Sequence, residues 1–333
     1  MMNKHTKTHH SKLLFLLIVF SATISFAQEP PNILLIIADD MGVDVTNGFQ
    51  ANENMPVTPN LDALRQSGLT LKNVWATPQC SPTRAAILTG KYPNKTGVFS
   101  PRNILDLTHT TIFQTLAEET EYANAVIGKW HVGDRADNDN PSKMGVQYFD
   151  GFLPAEVEDY YEWTKVKNGI TSTETTYATS YFTNSAIEWI NEQNQPWLLW
   201  LSHAAPHVPN HSPPEELFVT KPATNRQQRY IAMIEAMDAE IGRLLAGIPE
   251  EVLENTIIFF LGDNGTPNAF LQSYPERRGK TTLYQGGIHV PMMVSGKGVE
   301  RQKEEEEALV HALDLHATIL EVAGLDLEGG IQN

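Results

Sequence analysis

The sequence is poor in cysteine, since Cys80 is the only one among its 333 residues. A single thiol cannot close an intramolecular disulfide, which excludes the small disulfide-stabilised scaffolds. A lone cysteine in an oxidising compartment is a liability unless its thiol is buried or chemically used. Cys80 is therefore either an inert buried side chain or a reactive one, and the neighbouring residues indicate which.

Positive charge is scarce as well. The chain has 24 Lys and Arg residues against 40 Asp and Glu residues, which gives a formal net charge of −16. Such a surface repels nucleic acid, and without a Lys- or Arg-rich run we expect no nucleic-acid partner. An acidic protein that acts on an anionic substrate must concentrate positive charge locally. The Arg, Lys and His residues that lie inside motifs are therefore the most informative.

Hydrophobic runs long enough to span a membrane are also lacking. Near the N-terminus, three lysines precede the apolar residues 13–20, and small residues occupy the −3 and −1 positions of a cleavage site after Ala27. This pattern predicts a signal peptide over residues 1–27 and a secreted or periplasmic mature protein. The apolar segment is too short to predict stable membrane insertion, and a short membrane anchor is the alternative interpretation.

Short apolar runs alternate with segments of helical periodicity. The predicted strands are residues 32–38, 125–128, 196–202, 256–262 and 290–295. The predicted helices are residues 60–66, 111–119, 179–192, 226–245 and 313–323. This alternation indicates an α/β fold with a mainly parallel central sheet flanked by helices, in which sites form beyond the carboxyl ends of the strands. We expect the acidic residues 304–307 to form a solvated loop or the start of a helix.

The strongest motif surrounds the single cysteine and reads Cys80-Ser81-Pro82-Thr83-Arg84. Ser81 is a good N-cap, Pro82 suits the first helical position, and Gly90 is a plausible C-terminal stop. We therefore expect Cys80 just before a short helix, beside free backbone N–H groups and the positive end of the helix dipole, with Arg84 one turn in. A group at position 80 could then act on a bound anion. The alternative is an ordinary buried cysteine.

Spacing disfavours two other anion-binding motifs. A cysteine-dependent phosphatase loop places its arginine six residues after the cysteine, where this chain has Ala86. A phosphate-binding P-loop requires Gly-Lys-Ser/Thr, but Tyr92 follows Gly90-Lys91.

Two polar pairs follow predicted strands, Asp39-Asp40 and Asp263-Asn264. Their hard oxygen ligands suit Ca²⁺ or Mg²⁺ rather than Zn²⁺. Together with a helix N-terminus between them, they predict one divalent-cation site that would bind an anionic oxygen of the substrate. An exported, oxygen-rich site favours Ca²⁺, with Mg²⁺ as the alternative.

Three further clusters carry cationic or titratable side chains. Lys129 and His131 lie in Gly-Lys-Trp-His, and Lys280 lies in a glycine-rich segment at residues 279–287. His203 and His207 are four residues apart, a spacing that binds zinc on a helix, but Pro206 and Pro209 argue against a helix there. We therefore interpret His207 as a loop residue that points into the site. His203 is either a site residue or a structural histidine.

These motifs together resemble those of the type I sulfatases, the formylglycine-dependent members of the alkaline phosphatase superfamily. The segment Cys80 to Arg84 fits the maturation signature Cys-x-Pro-Ser/Thr-Arg of that family. Including this segment, six motifs occur in the family's order from about residue 31 onward. The resemblance implies an alkaline phosphatase-like fold with residues 28–333 as the catalytic domain. Members of the family usually continue beyond the helix that residues 314–323 resemble into a small C-terminal subdomain, so we expect either a fragment or a chain without it.

The resemblance also implies a role for each motif residue. A formylglycine-generating maturase would convert Cys80 to 3-oxoalanine (formylglycine), whose hydrate attacks sulfur and carries a covalent sulfate hemiacetal. The implied metal ligands are the modified residue 80, Asp39, Asp40, Asp263 and Asn264. Arg84 would stabilise the hydrate, while Lys129 and Lys280 would bind the sulfate oxygens. His207 would protonate the leaving alcohol with possible help from Lys280, and His131 would help to eliminate sulfate.

The activity that the resemblance implies is hydrolysis of a sulfated carbohydrate or an aryl sulfate, that is, a small-molecule or oligosaccharide sulfate ester. Two alternatives stay open from the sequence. One is a phosphonate or phosphate monoester hydrolase of the same superfamily. The other is a non-catalytic binding protein with an unmatured cysteine.

Overall fold

The computed structural model describes residues 30–327. The signal peptide predicted at residues 1–27 lies outside this part of the chain. Among the helices in residues 30–327, we find none whose length and apolar character would let it cross a membrane.

The described chain forms a single large sheet covered by helices on both faces. In chain order the strands are β1 (Asn32–Ala38), β2 (Gly68–Trp75), β3 (Ala123–Lys129), β4 (Tyr148–Phe152), β5 (Trp163–Lys167), β6 (Ile170–Glu174), β7 (Trp197–Ser202), β8 (Thr256–Gly262), β9 (Met292–Gly296) and β10 (Glu304–His311). The helices are α1 (Pro59–Ser67), α2 (Cys80–Thr89), α3 (Pro93–Thr96), α4 (Ile112–Glu119), α5 (Asn140–Lys143), α6 (Ala178–Asn191), α7 (Arg226–Gly247), α8 (Glu250–Glu254), α9 (Gln285–Ile288) and α10 (Leu315–Val322). Short 3₁₀ turns occupy Val43–Val45, Glu215–Leu217 and Ala312–Asp314.

The strand order is β10-β2-β9-β8-β1-β7-β3-β4-β5-β6. The central strands β8, β1, β7, β3 and β4 run parallel to one another, whereas β9, β5 and β6 pair antiparallel with their neighbours. This architecture confirms the predicted α/β fold with a mainly parallel sheet. Strand β9, within the predicted segment 290–295, is antiparallel to both β8 and β2.

Four central strands, β1, β3, β7 and β8, are buried along their whole length. Their apolar runs therefore face helices on both sides of the sheet, as expected for parallel strands joined by helical crossovers. On one face, Ile33 and Ile37 of β1 pack in a core with residues of α2, α4 and α10. On the other face, Leu34 and Ile36 share a core with α1, α6 and α7. Two cores hold the central strands rigidly in place.

The register of the central strands aligns their carboxyl ends. Ala38 at the end of β1 pairs with Gly262 at the end of β8, and Ile37 pairs with Ser202 at the end of β7. Gly128 of β3 also pairs with Ser202. Residues that follow these strands therefore emerge side by side at one edge of the sheet.

The prediction for residues 304–307 is wrong. These residues begin β10, which pairs parallel with β2 at the end of the sheet. The four glutamates are compatible with a strand because an edge strand leaves its side chains solvated and is protected from aggregation by charge. Lys72 of β2 contacts Glu305 across the pair, with 3.3 Å between Nζ and Oε1.

Candidate active site

Polar residues from three segments meet at the carboxyl edge of the sheet. Asp39 follows β1, Lys129 ends β3, and Asp263 follows β8. Backbone bonds continue the sheet beyond the strands, because Asp39 N donates to Ala205 O at 3.1 Å and Asp263 N donates to Ala38 O at 3.0 Å. All three site side chains are buried. This edge is where a doubly wound sheet forms its ligand sites.

Helix α2 brings the cysteine to this edge. The helix begins at Cys80 itself, with the extended residue Gln79 as its N-cap, and ends at Gly90, whose φ of +67° gives the left-handed cap. The prediction of Ser81 as N-cap is therefore wrong by two positions. Because Gln79 already turns the chain, Pro82 falls at the third helical position, where the missing N–H has no helical partner to lose.

The thiol of Cys80 lies between two cationic or titratable side chains. Its Sγ is 3.3 Å from His131 Nδ1 and 3.6 Å from Lys129 Nζ. Burial raises the pKa of the Cys80 thiol, although Lys129 opposes this effect. The side chain is therefore a neutral thiol placed where a reacting group would meet a cation and an imidazole.

The guanidinium of Arg84 is fully buried and donates hydrogen bonds to three residues of the site. Nε and Nη2 donate to the same oxygen of Asp263, Oδ2, at 2.9 and 2.8 Å. Nη1 donates to the carbonyl of Lys129 at 2.9 Å and to the hydroxyl of Ser202. These contacts tie α2 to the ends of β3, β7 and β8, so Arg84 fixes the position of residue 80 relative to the sheet.

Two lysines reach the carboxylates from different segments. Lys129 Nζ donates to Asp39 Oδ2, and Lys280 Nζ contacts Asp40 Oδ1. Burial raises the pKa of Asp39, but the charge of Lys129 and the other cations outweighs burial and holds this pKa below its usual range. Asp39 is therefore ionised. The site concentrates positive charge around anionic oxygen atoms in an otherwise acidic protein.

The loop that carries Lys280 is anchored beside helix α2. Lys280 N donates to Thr266 O at 2.9 Å, and Thr281 N donates to Pro78 O at 2.8 Å. These two backbone bonds connect the glycine-rich segment to the chain after β8 and to the chain before α2. Lys280 is thus held at the site by its backbone as well as by its ion pair.

The two polar pairs predicted as metal ligands lie close together. Asn264 Nδ2 donates to Asp40 Oδ1 at 2.8 Å. Single oxygen or sulfur atoms of Asp39, Cys80 and Asp263 lie within 4.8 Å of one another. The buried Oδ1 atoms of Asp39 and Asn264 have no hydrogen-bond partner in the described part of the chain. Orphaned buried acceptors are costly, and a divalent cation would satisfy them, so these residues fit a hard cation such as Ca²⁺ or Mg²⁺.

His131 flanks the cysteine from the segment after β3. Its Nδ1 faces Cys80, and its Nε2 lies 3.3 Å from Pro101 O. Burial, together with Lys129 and Arg84, lowers the pKa of His131 to about 2. The imidazole is therefore neutral and can accept or donate one proton at residue 80.

His207 lies in the loop after β7, as its neighbouring prolines predict. Its Nδ1 is 3.1 Å from Val208 O, and its Nε2 is 3.8 Å from Asp40 Oδ2. Because a carbonyl only accepts, Nδ1 carries hydrogen and Nε2 faces the site. The phenol of Tyr160 donates to His207 O at 2.9 Å and holds the loop in place.

His203 belongs to the core and not to this cluster. Its side chain is fully buried, with its ring 6.5 Å from that of Phe182 in α6. Neither ring nitrogen has a hydrogen-bond partner within residues 30–327, and burial lowers the pKa of His203 to about 3. The position of His203 matches the interpretation as a structural histidine and not the interpretation as a site residue.

Sequence reasoning missed residues that support the site without belonging to a motif. Ser202 accepts from Arg84, Tyr160 bonds the backbone of His207, and Tyr230 of α7 donates to Asp40 O at 2.6 Å. Thr266 accepts from Gly42 N at 3.2 Å. Two of these residues had a sequence signal, since Ser202 ends the predicted strand at residues 196–202 and Thr266 lies two residues after Asn264.

Comparison with known proteins identifies the family to which the chain belongs. The family model described as Sulfatase matches residues 31–325. Human N-acetylgalactosamine-6-sulfatase is 30% identical over 344 residues, which cover 90% of this chain and 63% of the human protein. The arylsulfatase of Klebsiella aerogenes is 25% identical and covers 90% of this chain and 88% of its own length. A solved structure, Ps i-CgsB in complex with k-i-k-neocarrahexaose, superposes with a TM-score of 0.80 at 28% identity, over 90% of this chain and 73% of that one.

Proposed function

Because the chain belongs to the sulfatase family, we propose that it hydrolyses a sulfate ester at the site around residue 80 and releases inorganic sulfate. One observation carries the proposal. Cys80 Sγ lies 3.3 Å from His131 Nδ1 and 3.6 Å from Lys129 Nζ, at the edge where Asp39 and Asp263 meet. The chain spans 63% of the human relative's length. The activity of that longer protein supports the proposal.

The proposal includes conversion of Cys80 to formylglycine by a maturase. Support comes from the motif Cys80-Ser81-Pro82-Thr83-Arg84, which fits the family's maturation signature. The modified side chain supplies an aldehyde hydrate, whose oxygen is the nucleophile toward sulfur. A buried neutral thiol is a weak nucleophile by comparison, since the thiolate is the reactive form of cysteine.

The surrounding side chains have separate tasks in this reaction. Lys129 and Lys280 are placed to bind the sulfate oxygens and to offset the charge that builds on them during transfer. The hydroxyl of the hydrate gives up its proton to solvent as its oxygen attacks sulfur. His207 acts in its doubly protonated form, with a second proton taken from solvent at Nε2, and it donates that proton to the leaving alcohol as the bond between sulfur and the ester oxygen breaks. His131, beside residue 80, removes a proton from that residue, so that sulfate departs and the aldehyde is restored. Arg84 holds α2 and Asp263 in register throughout.

We propose that one divalent cation completes the site, with Ca²⁺ favoured and Mg²⁺ as the alternative. Asp39, Asp40, Asp263 and Asn264 would hold it together with residue 80. A cation held by these residues would polarise a sulfate oxygen and offset the repulsion between the carboxylates. The partnerless Oδ1 atoms of Asp39 and Asn264 support this assignment.

Two relatives suggest the substrate class. The human relative is named for a sulfated amino sugar, and the solved relative holds a neocarrahexaose. We propose a sulfated carbohydrate as the substrate, in keeping with polysaccharide degradation by an exported enzyme. The proposed export rests on the signal peptide at residues 1–27, and N-terminal sequencing of the mature protein should begin at Gln28.

The decisive experiment is a sulfate-release screen over sulfated saccharides and aryl sulfates, with protein co-expressed with a formylglycine-generating maturase. We expect release with the maturase and none from the Cys80→Ala variant. Mass spectrometry of the tryptic peptide at residues 73–84 should show a loss of about 18 Da, the difference between thiol and aldehyde. A large preference for an aryl phosphate or phosphonate over the matched sulfate would overturn the proposal, as would an unmodified peptide without turnover.

A further inference from the structure

Arg135 lies directly behind one of the proposed active-site residues. Its Nη2 donates to Pro101 O and is 3.5 Å from His131 Nε2. The other ring nitrogen of His131, Nδ1, faces Cys80 at 3.3 Å. A single imidazole ring therefore separates the guanidinium from the residue at which the ester would be cleaved. Arg135 belongs to none of the sequence motifs.

The charge of Arg135 is not compensated by the protein. Among residues 30–327, no carboxylate oxygen lies within 4.0 Å of its guanidinium nitrogens. Two aspartates of its own loop are engaged elsewhere. Asp134 Oδ1 accepts from Ala136 N at 3.0 Å, and Asp137 pairs with Lys143 at 2.6 Å. Arg135 therefore places a positive charge without an ion-pair partner beside the proposed active site of an acidic protein with a net charge of −16.

The loop that supplies the hydrogen-bond acceptor for Arg135 is held by its own hydrogen bonds. Within the loop at residues 99–103, the Asn103 side chain accepts from Phe99 N at 3.1 Å and from Ser100 N at 2.9 Å. Leu105 N then donates to Val132 O at 2.8 Å, which anchors the loop beside His131. Pro101 O thus presents a fixed acceptor to Nη2. The guanidinium is oriented before any ligand arrives, which lowers the entropy lost on binding.

We propose that Arg135 binds a second anionic group of the substrate, a carboxylate or a sulfate on the sugar that carries the scissile ester or on its neighbour. The inference rests on the proposed function. Arginine presents paired donors in a planar fork that matches carboxylate and sulfate oxygens. The Arg135 side chain is exposed, and its Nη1 and Nε make no hydrogen bond within the described residues. Both nitrogens are therefore available to donate to such a group.

Electrostatics supports the same assignment. A substrate with two anionic groups is repelled more strongly by an acidic protein than a substrate with one. Lys129 and Lys280 are placed at the scissile group, where they contact Asp39 and Asp40. A second anionic group therefore needs its own cation. Arg135 supplies that charge on the far side of the His131 ring from residue 80. It would therefore determine specificity for substrates with two anionic groups.

The test compares two classes of substrate with the mature enzyme. We would measure kcat/KM on a singly sulfated neutral saccharide and on two doubly anionic ones, a disulfated disaccharide and a sulfated disaccharide that contains a uronate. In Arg135→Gln, the preference for a doubly anionic substrate should fall at least about tenfold, mainly through KM, which corresponds to about 1.4 kcal/mol. Arg135→Lys should restore part of it, because charge is kept and the fork is lost.

Arg102→Gln is the matched control, since it removes the same charge from an exposed position on the neighbouring loop. The ratio of the two kcat/KM values should stay at the wild-type value in this variant. The two doubly anionic arms identify whether the group is a sulfate or a carboxylate. An unchanged ratio in Arg135→Gln, or an equal loss on all substrates through kcat, would overturn the proposal. A wild-type enzyme that releases no sulfate from any substrate would instead overturn the proposed function, and this inference with it.

Discussion

Arg84 donates two hydrogen bonds to one oxygen of Asp263, from Nε at 2.9 Å and from Nη2 at 2.8 Å, and both side chains are completely buried. This contact joins helix α2, which carries residue 80, to the strand end that carries the proposed metal ligands. It is a structural contact as much as a catalytic one. Its loss should therefore be visible in stability and not only in rate.

Arg84→Gln should lower the free energy of unfolding by about 3–5 kcal/mol, because it leaves the buried carboxylate of Asp263 without its partner. Denaturant unfolding in the presence of a chelator measures this cost without a contribution from bound cation. Arg301→Gln is the matched control. Arg301 contacts Glu304 at 2.7 Å and Glu306 at 2.6 Å, but Arg301 and Glu304 are exposed and Glu306 is only half-buried, so little change is expected. Equal effects in the two variants would contradict the prediction.

Removal of divalent cations should destabilise the protein. A ligand at one hundred times its dissociation constant stabilises the folded state by about 2.7 kcal/mol, so a chelator should lower the thermal midpoint and added Ca²⁺ should restore it. Asn264→Ala should abolish most of this response, because it deletes a proposed ligand. Asn194→Ala, an exposed change just before β7 at the opposite edge of the sheet, should leave the response intact. A Ca²⁺ response that persists in Asn264→Ala would argue against the proposed ligand set.

Tyr160→Phe should reduce kcat about tenfold and cost about 1–3 kcal/mol of stability. The phenol donates to His207 O at 2.9 Å, and its removal leaves a buried carbonyl without a donor and loosens the loop that places Nε2. Tyr161→Phe serves as the control, since that phenol donates to Ser212 O from an exposed position. Steady-state kinetics and unfolding curves of both variants check the prediction. Wild-type kcat in Tyr160→Phe would show that this hydrogen bond does not position His207.

Gly128→Ala should destabilise the fold by more than about 4 kcal/mol, a loss that marks severe strain in the core. Gly128 has a φ of +103°, and a Cβ there would overlap the carbonyl oxygen of Ser202 on the neighbouring strand. Gly298→Ala separates the two causes. Its φ of +79° is also unfavourable, but a Cβ at that position meets no atom within 4 Å, so the cost should be about 1–2 kcal/mol. Soluble expression and denaturant midpoints provide the comparison, and similar losses in both variants would assign the effect to φ alone.

The local sequence predicted the central strands of the sheet well and the edge strands poorly. The runs at residues 32–38 and 256–262 are continuous apolar segments, and β1 and β8 occupy them completely because both faces of each strand are buried. Strand β6 consists mainly of polar, exposed residues, and it exists because β5 pairs with it. Residues 304–307 were misjudged for the same reason, since an acidic segment becomes a strand only when β2 offers it an edge.

The residues of the candidate site also fall into those that the sequence identified and those that it did not. Residues that follow strand ends, such as Asp39 and Asp263, were identifiable because parallel strands deliver their ends to one edge. Tyr160 and Tyr230 were not, since each supports the site through one contact with backbone that lies far away in sequence. Arg135 was missed because no motif includes it. Its significance appears only when Pro101 and His131 are seen beside it.

The pairing of Ala38 with Gly262 and of Ile37 with Ser202 sets which changes in chain length the fold can absorb. Deleting one residue from β1 would draw Asp39 back by about 3.3 Å and turn it to the opposite face of the sheet. Insertions in the loops that enter the strands at their amino ends would leave the same edge untouched. Divergence by insertion and deletion can therefore remodel the periphery of this domain freely, while the spacing inside each central strand is as constrained as the identity of any side chain at its end.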